Sequence, residues 1–211
     1  MNSRFLYGTI GHTAAGKTTL SNYMKDNPAF VFEYINEGEI KRGLVDAYST
    51  TDSLNEELRD RSYRIAIEKA QSILLYHNVL IDASFHKLKR RNLIYKMLEK
   101  NKERIPIIWL YCYCPNLCKV HQRIEKRRHA QRIAENQADS IIIYNHIIAQ
   151  FDYPSIANIP PVIKGAIIYI NTDTNVIEKI ETNSQSGELM TEVNRICKYI
   201  KNQQILWRKI N

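Results

Sequence analysis

The sequence predicts an α/β domain with a mostly parallel, five-stranded sheet flanked by helices and carrying a basic helical lid. Three observations lead there. Short apolar, β-branched runs alternate with stretches whose apolar residues recur at helical spacing, the pattern of parallel strands joined by crossover helices. A glycine-containing octapeptide, Gly11-His-Thr-Ala-Ala-Gly-Lys-Thr18, lies between the first strand-like run and the first helical one. The chain has 211 residues, 44% hydrophobic and 25% charged, enough to bury one sizeable core, so a single domain spanning 1–211 is expected.

The elements follow in order. Arg4 to Ile10 is apolar, aromatic and β-branched, which suits a buried first strand. After the octapeptide, Leu20, Tyr23 and Met24 recur at helical spacing. Phe30 to Ile35 reads as the second strand, and residues 36–51 as a short helix over the cleft. Leu54 to Tyr76 is a long helix whose stripe includes Leu58, Ile65, Ala66, Ala70, Ile73 and Leu74. Val79 to Asp82 is the third strand, Lys87 to Lys100 a helix, and Pro106 to Cys112 the fourth strand. A lid over about 116–150 comprises a basic helix from Asn116 to His129 and another from Ala138 to Phe151. The proline-containing stretch Tyr153 to Pro161 links it to the fifth strand, Ala166 to Asn171. Asn183 to Gly187 is a loop, and the final helix covers about 189–207.

The octapeptide matches G-x-x-x-x-G-K-[ST], in which backbone N–H groups wrap phosphates. Its place between a strand and a helix aims the first N–H groups of that helix, and the positive end of its dipole, at a bound anion. Gly11 lets the chain turn out of the strand, and Gly16 lets backbone approach a phosphate with no Cβ in the way. Gly11, His12, Thr13, Ala14, Ala15, Gly16, Lys17, Thr18 and Thr19 would hold the nucleotide. Within them Lys17 would neutralise β- and γ-phosphate oxygens, and Thr18 would supply a ligand to Mg²⁺. A P-loop NTPase fold is the expectation.

The net charge of +8 favours an anionic partner: a nucleotide, a phosphorylated small molecule or a nucleic acid. The cations are bunched, with eight Lys/Arg against two Glu from Lys87 to Arg104, and six against one from Lys119 to Arg132. Cys112 and Cys114 end a strand-like run, and Cys112, Cys114 and Cys118 lack a standard metal-ligand spacing, so they and Cys197 read as structural thiols. There is no signal-peptide pattern at the N-terminus and no run of eighteen apolar residues. A cytoplasmic protein with no membrane partner is expected.

Asp82 ends a strand written Val-Leu-Ile-Asp. In an open parallel sheet, ligands collect outside the carboxyl ends of the strands, so this acid should face the metal or the acceptor. Asp82-Ala-Ser-Phe, with Arg91 nine residues on, resembles the aspartate-alanine-threonine segment and later arginine of the polynucleotide-kinase-like branch of P-loop kinases, a branch that includes many small-molecule kinases. The resemblance runs from the first strand to about Pro154. It implies ATP and Mg²⁺ as cofactors, with Asp82 at the metal or acceptor and Ser84 and Arg91 on the acceptor side. It also implies a lid whose arginines, spaced R-x₃-R, close over the transferring phosphoryl. Arg123 and Arg127 fit that spacing, with Arg128 beside them for the nucleotide. Guanidinium groups suit a transition state that spreads negative charge over oxygens. The helix ending Gln150-Phe-Asp-Tyr-Pro154 is similar to the family's as well.

The acceptor side departs from the family. Where an aspartate and, three residues later, an arginine stand after the second strand in relatives, an ungapped match puts Gly38 and Lys41. A shift of one residue puts Glu39 and Arg42 there. Glu39 is therefore the first candidate for general base and Glu37 the second, with Lys41 and Arg42 as substrate contacts. The function expected is an ATP- and Mg²⁺-dependent phosphotransferase acting on the hydroxyl of an anionic acceptor, such as a nucleic-acid 5′-hydroxyl or a phosphorylated small molecule. The missing aspartate gives weight to an alternative, a nucleotide-binding regulatory ATPase or switch acting through a protein partner. A plain nucleic-acid-binding module finds no binding motif in the chain.

Overall fold

The computed structural model describes residues 4–45, 54–101, 104–131 and 140–210, the side chains of 127–131, 140 and 203–210 excepted. The strands are β1 (Leu6–Ile10), β2 (Glu33–Asn36), β3 (Val79–Asp82), β4 (Ile107–Tyr113), β5 (Gly165–Asn171) and β6 (Val176–Thr182). The helices are α1 (Lys17–Lys25), α2 (Glu37–Arg42), α3 (Glu56–Ile73), α4 (Leu88–Glu99), α5 (Leu117–Gln131), α6 (Ser140–Ala149) and α7 (Gly187–Ile210), with a 3₁₀ turn at Ile156–Asn158. They form one six-stranded sheet in the order β2-β3-β1-β4-β5-β6. The first five strands are parallel, and β6 returns antiparallel to β5.

The strand count corrects the expectation of five. β6 reads Val-Ile-Glu-Lys-Ile-Glu-Thr and is largely exposed, so it lacks the continuous apolar run of the buried strands. Its charges blunt an edge that would otherwise offer unpaired backbone groups. Two of them are used inward. Glu178 accepts from Asn171 Nδ2 at 2.7 Å, and Glu181 accepts from the Tyr169 hydroxyl at 2.8 Å. Asn175, at φ +56°, makes the turn before β6.

Side-chain alternation on the parallel strands gives the sheet two apolar faces. Leu6, Ile10, Ile81, Ile107 and Trp109 pack on one side with Tyr63, Ala66 and Ala70 of α3 and Ile94 and Leu98 of α4. Tyr7, Leu80, Ile108, Leu110 and Cys112 pack on the other with Met24 of α1 and Leu189, Val193 and Ile196 of α7. A third, smaller cluster joins Ala14 of the glycine loop to Cys114, to Val120 and Ile124 of α5, and to Tyr144 of α6. Helices α5 and α6 are thereby packed on the loop itself. No helix among the described residues is long and apolar enough to cross a membrane.

Candidate phosphate-binding cleft

β1 and β3 lie side by side and end at the same edge of the sheet. Residues 11–16 leave that edge and turn into α1. Gly16 is the residue before α1 and is left-handed, at φ +86°. Gly11 lies at φ +152°, where an added Cβ would stand 2.3 Å from the Cys112 carbonyl oxygen. Both positions therefore require glycine on backbone grounds. Ala14, at φ +61°, adds a further left-handed residue. The Gly11 N–H donates to the Ser84 carbonyl at 3.0 Å, and Lys17 Nζ donates back to the His12 carbonyl at 2.8 Å, so the loop closes on itself and on the end of β3.

The loop lines a cleft of about 190 Å³ together with residues of β2, α2 and β3. Thr13 to Thr18 form one wall, and Asn36, Glu37, Gly38, Asp82, Ala83 and Ser84 the other. Asp82 is 4% exposed and has both carboxylate oxygens engaged. Thr9 Oγ1 shares its one proton between Oδ1 at 3.1 Å and the Ala83 carbonyl at 2.8 Å, and the Tyr34 hydroxyl donates to Oδ2 at 2.9 Å. Burial, and then the Asp82 charge, drive the Tyr34 phenol well above its usual range, so it stays a donor at any ordinary pH.

α2 sorts the two glutamates. Asn36 is its N-cap. Its side chain accepts from the Glu39 N–H at 3.3 Å and donates Nδ2 to Glu39 Oε1 at 3.3 Å, a reciprocal N-cap contact in the sequence form N-x-x-E. Glu39 is spent on the cap, stays exposed and does not line the cleft. Glu37, at the first helical position, is buried, lines the cleft and accepts from Ser62 Oγ of α3 at 2.5 Å. The residue at the cleft is thus Glu37, whereas the shifted match to the family favours Glu39. Lys41 and Arg42 lie at the far end of α2, away from the cleft lining.

Arg91 differs most from expectation. It is 1% exposed. It donates Nη1 to the Phe85 carbonyl at 2.7 Å and Nη2 to the Asp152 carbonyl at 2.8 Å. The Asp152 carboxylate in turn accepts from the Leu88 N–H at 2.7 Å, capping α4 from outside the helix. Arg91 therefore ties the β3–α4 loop to the segment after α6 and is not placed to meet an acceptor, a correction to its expected role. Arg123 is anchored too, to the Ala14 carbonyl at 3.2 Å and the Thr172 carbonyl at 2.7 Å, bracing the glycine loop against the β5–β6 turn. Arg127 and Arg128 lie on α5 with their side chains outside the described residues.

His12 is buried under α6, edge-on to Tyr144 with centroids 5.2 Å apart. Burial, with Lys17 and Arg123 adding to it against the Thr13 carbonyl, pushes its imidazole down to about 4. Of the cysteines, Cys118 is exposed and the other three are buried, with burial pushing Cys112 up to about 12. No cluster of three metal-ligating side chains occurs among the described residues.

The profile of a family described as "AAA domain" matches residues 6–142, well over half of the chain. The chain belongs to this AAA domain family. In solved structures, a Chloroflexus aurantiacus protein assigned as a kinase shares its fold at TM-score 0.54 and 16% identity, over 73% of this AAA-family chain and 83% of that one. The Mycobacterium tuberculosis APS kinase, in its complex with AMPPNP and APS, gives 0.52 and 17% over 74% and 86%. A structure from the PezAT chromosomal toxin–antitoxin system of Streptococcus pneumoniae gives 0.56 and 11% over 97% and 88%. At these identities the likeness to the AAA-family chain is one of fold. No curated protein matches its sequence.

The residues present fit a nucleotide and a divalent cation. The two glycines keep Cβ atoms out of the cradle, Lys17 puts an ammonium at it, and the Thr18 hydroxyl and Asp82 carboxylate line the same cleft. Sequence reasoning missed Thr9, Tyr34, Asn36 and Thr172. Of these Asn36 had a signal, the N-x-x-E spacing ahead of a helix. Thr9 and Tyr34 had none, since their role depends on which strands are neighbours.

Proposed function

We propose that this protein is an ATP- and Mg²⁺-dependent phosphotransferase that moves the γ-phosphoryl group to an acceptor hydroxyl. The observation that carries the reading is the pairing, across one cleft of about 190 Å³, of a phosphate-cradling loop with the buried acids Asp82 and Glu37. When bound, the nucleotide supplies the phosphoryl group and the metal neutralises its developing charge.

The chain's own groups divide the remaining work. Lys17 and the N–H groups of residues 13–18 would hold the phosphates, and Thr18 and Asp82 would hold the metal, with Thr9 and Tyr34 fixing the orientation of Asp82. Glu37 would accept the proton of the attacking hydroxyl at Oε1 or Oε2, held in place by Ser62. Arg123 would keep the cradle in shape by holding Ala14 and Thr172 together. Kinases among the proteins of like fold, and the Asp82-Ala-Ser resemblance to the polynucleotide-kinase-like branch, support the same class.

The test is transfer of ³²P from [γ-³²P]ATP to a panel of 5′-hydroxyl RNA and DNA, nucleosides, sugars and their phosphates. Labelled acceptor that vanishes with Lys17→Ala is the expected result. ATP hydrolysis unaffected by every acceptor would instead support the regulatory ATPase, and turnover unchanged in Lys17→Ala would remove the loop from the chemistry.

A further inference from the structure

The wall of the cleft that carries Glu37 leads into a second polar cluster, which the steps above do not use. Ser62 Oγ, 2.5 Å from Glu37 Oε1, also lies 2.8 Å from the Arg59 carbonyl one turn earlier on α3, so its one proton is shared between the two acceptors. Arg59 is 4% exposed. Its Nη1 has no hydrogen-bond partner, and Glu56 Oε1 stands 3.6 Å from it. His86, in the loop from β3 to α4, is fully buried with both ring nitrogens unpartnered. Arg90 is also fully buried. It donates Nε and Nη2 to Asp60 and Nη2 to Glu56, which leaves Nη1 with no partner.

Buried polar groups are nearly always paired, because a guanidinium or imidazole nitrogen stripped of water and given nothing in return costs more than a hydrogen bond returns. Four unpartnered nitrogens on three adjoining buried residues, with Glu56 Oε1 and His146 Nε2 also unpartnered and 3.6 Å apart beside them, are therefore a mark of something missing. Glu56 and Asp60 are the carboxylates that make ion pairs in the cluster, and Arg59, Lys87, Lys89 and Arg90 are the cations paired with them. With the Glu37 carboxylate against Ser62 counted as well, one positive charge is left over among the described residues. Lys87, Arg90 and Arg59 outweigh burial to hold the Glu56 carboxyl down at about 2. Burial and then Arg59, Arg90, Lys87 and Lys17 hold the His86 imidazole at about 2. His86 is accordingly neutral, with one N–H to give.

We propose that Arg59 and His86, backed by Arg90, form the seat for a phosphate group on the acceptor, which is a small hydroxyl-bearing phosphomonoester. The inference rests on the phosphotransferase reading and names its substrate class. A phosphomonoester supplies the missing negative charge, and its several oxygens can accept from Arg59 Nη1, the His86 N–H and Arg90 Nη1 together. Glu37 contacts Ser62 on this side and lines the cleft on the other, so a molecule seated on Arg59 would bring its hydroxyl past Glu37 toward the loop. A seat this buried suits a small phosphate ester better than an internal phosphodiester of a polymer, whose chain would have to pass through it on both sides.

The experiment uses the full chain with its loop saturated by a non-hydrolysable ATP analogue, titrated with inorganic phosphate by calorimetry and by ¹⁵N NMR of the His86 ring. One phosphate is expected to bind and shift the His86 resonances. Affinity should fall at least tenfold in Arg59→Gln and in His86→Gln, and be partly restored in Arg59→Lys. Phosphate that leaves the wild-type His86 resonances unmoved overturns the seat even if a variant fails to fold, as does equal binding by wild type and folded variants. In the transfer assay, ribose 5-phosphate and glycerol 3-phosphate are compared with ribose, glycerol and a 5′-hydroxyl oligonucleotide. Phosphate esters are expected to lead in kcat/KM by about a hundredfold, a lead lost in Arg59→Gln with the KM for ATP unchanged. Equal use of neutral acceptors, or preference for the oligonucleotide, overturns the seat while leaving transfer standing. Phosphate bound at His86 with no transfer to any acceptor overturns the transfer reading while leaving the seat.

Discussion

The Tyr34 hydroxyl donates to Asp82 Oδ2 at 2.9 Å, linking the outer strand β2 to the acid at the end of β3. Because Thr9 holds Oδ1, loss of the phenol would free one carboxylate oxygen to turn. Groups that orient a ligating carboxylate typically change metal affinity or activity by about 10–100-fold when removed. Tyr34→Phe is expected to raise the Mg²⁺ concentration needed for half-maximal activity by about tenfold, with little change in folding. A Mg²⁺ titration of turnover checks it, and an unchanged midpoint would place the metal away from Asp82.

The two glutamates of α2 should separate cleanly. Glu37→Gln keeps the shape and the Ser62 contact but removes the proton acceptor, so kcat is expected to fall by about 10²–10⁴-fold with the KM for ATP held. Glu39→Gln preserves an acceptor for Asn36 Nδ2 and should leave kcat within about threefold. Parallel steady-state measurements decide. The reverse ranking would return the base to Glu39.

These two glutamates also show what the sequence could and could not disclose. The glycine loop was legible because its eight residues carry their own geometry: φ values that only glycine tolerates easily and a lysine fixed by spacing. Asp82 was legible because a strand-end acid has one edge of the sheet to occupy. Which of Glu37 and Glu39 enters the cleft depends instead on the rotation of a six-residue helix, set by Asn36. Arg91 was misread for a related reason. The family resemblance put Arg91 on the acceptor side, yet helical phase turns it inward among backbone carbonyls, where its neighbours Lys87 and Lys89 do not go. β6 escaped because edge strands need little apolar character.

Arg91 should behave as a structural residue. Burial lowers its pKa, against Tyr95 and Asp152, but it stays charged at any working pH. Its loss leaves the Phe85 and Asp152 carbonyls without their donor, at about 1–3 kcal/mol for each unpaired buried acceptor. At roughly 2–4 °C per kcal/mol for a domain of this size, Arg91→Met should lower Tm by about 10 °C. Residual folded enzyme should keep an acceptor KM near wild type. A raised KM with Tm intact would restore Arg91 to the acceptor site.

Two buried histidines make stability depend on pH in a stated window. His12 is pushed down to about 4 and His86 to about 2, each from a usual value of 6.5, so the unfolded chain binds protons that the folded one refuses. Stability from this source is whole above pH 6.5 and is lost as pH falls below it, ending near 4 for His12 and continuing toward 2 for His86. At pH 5, each histidine is about 1.5 units below its unfolded midpoint, which amounts to about 2 kcal/mol apiece. Urea unfolding followed from pH 7.5 to 5 should therefore lose about 4 kcal/mol, with an uptake approaching two protons at the acid end. His12→Gln should halve that slope, and a slope unchanged in this variant would mean that the His12 ring is protonated in the folded protein.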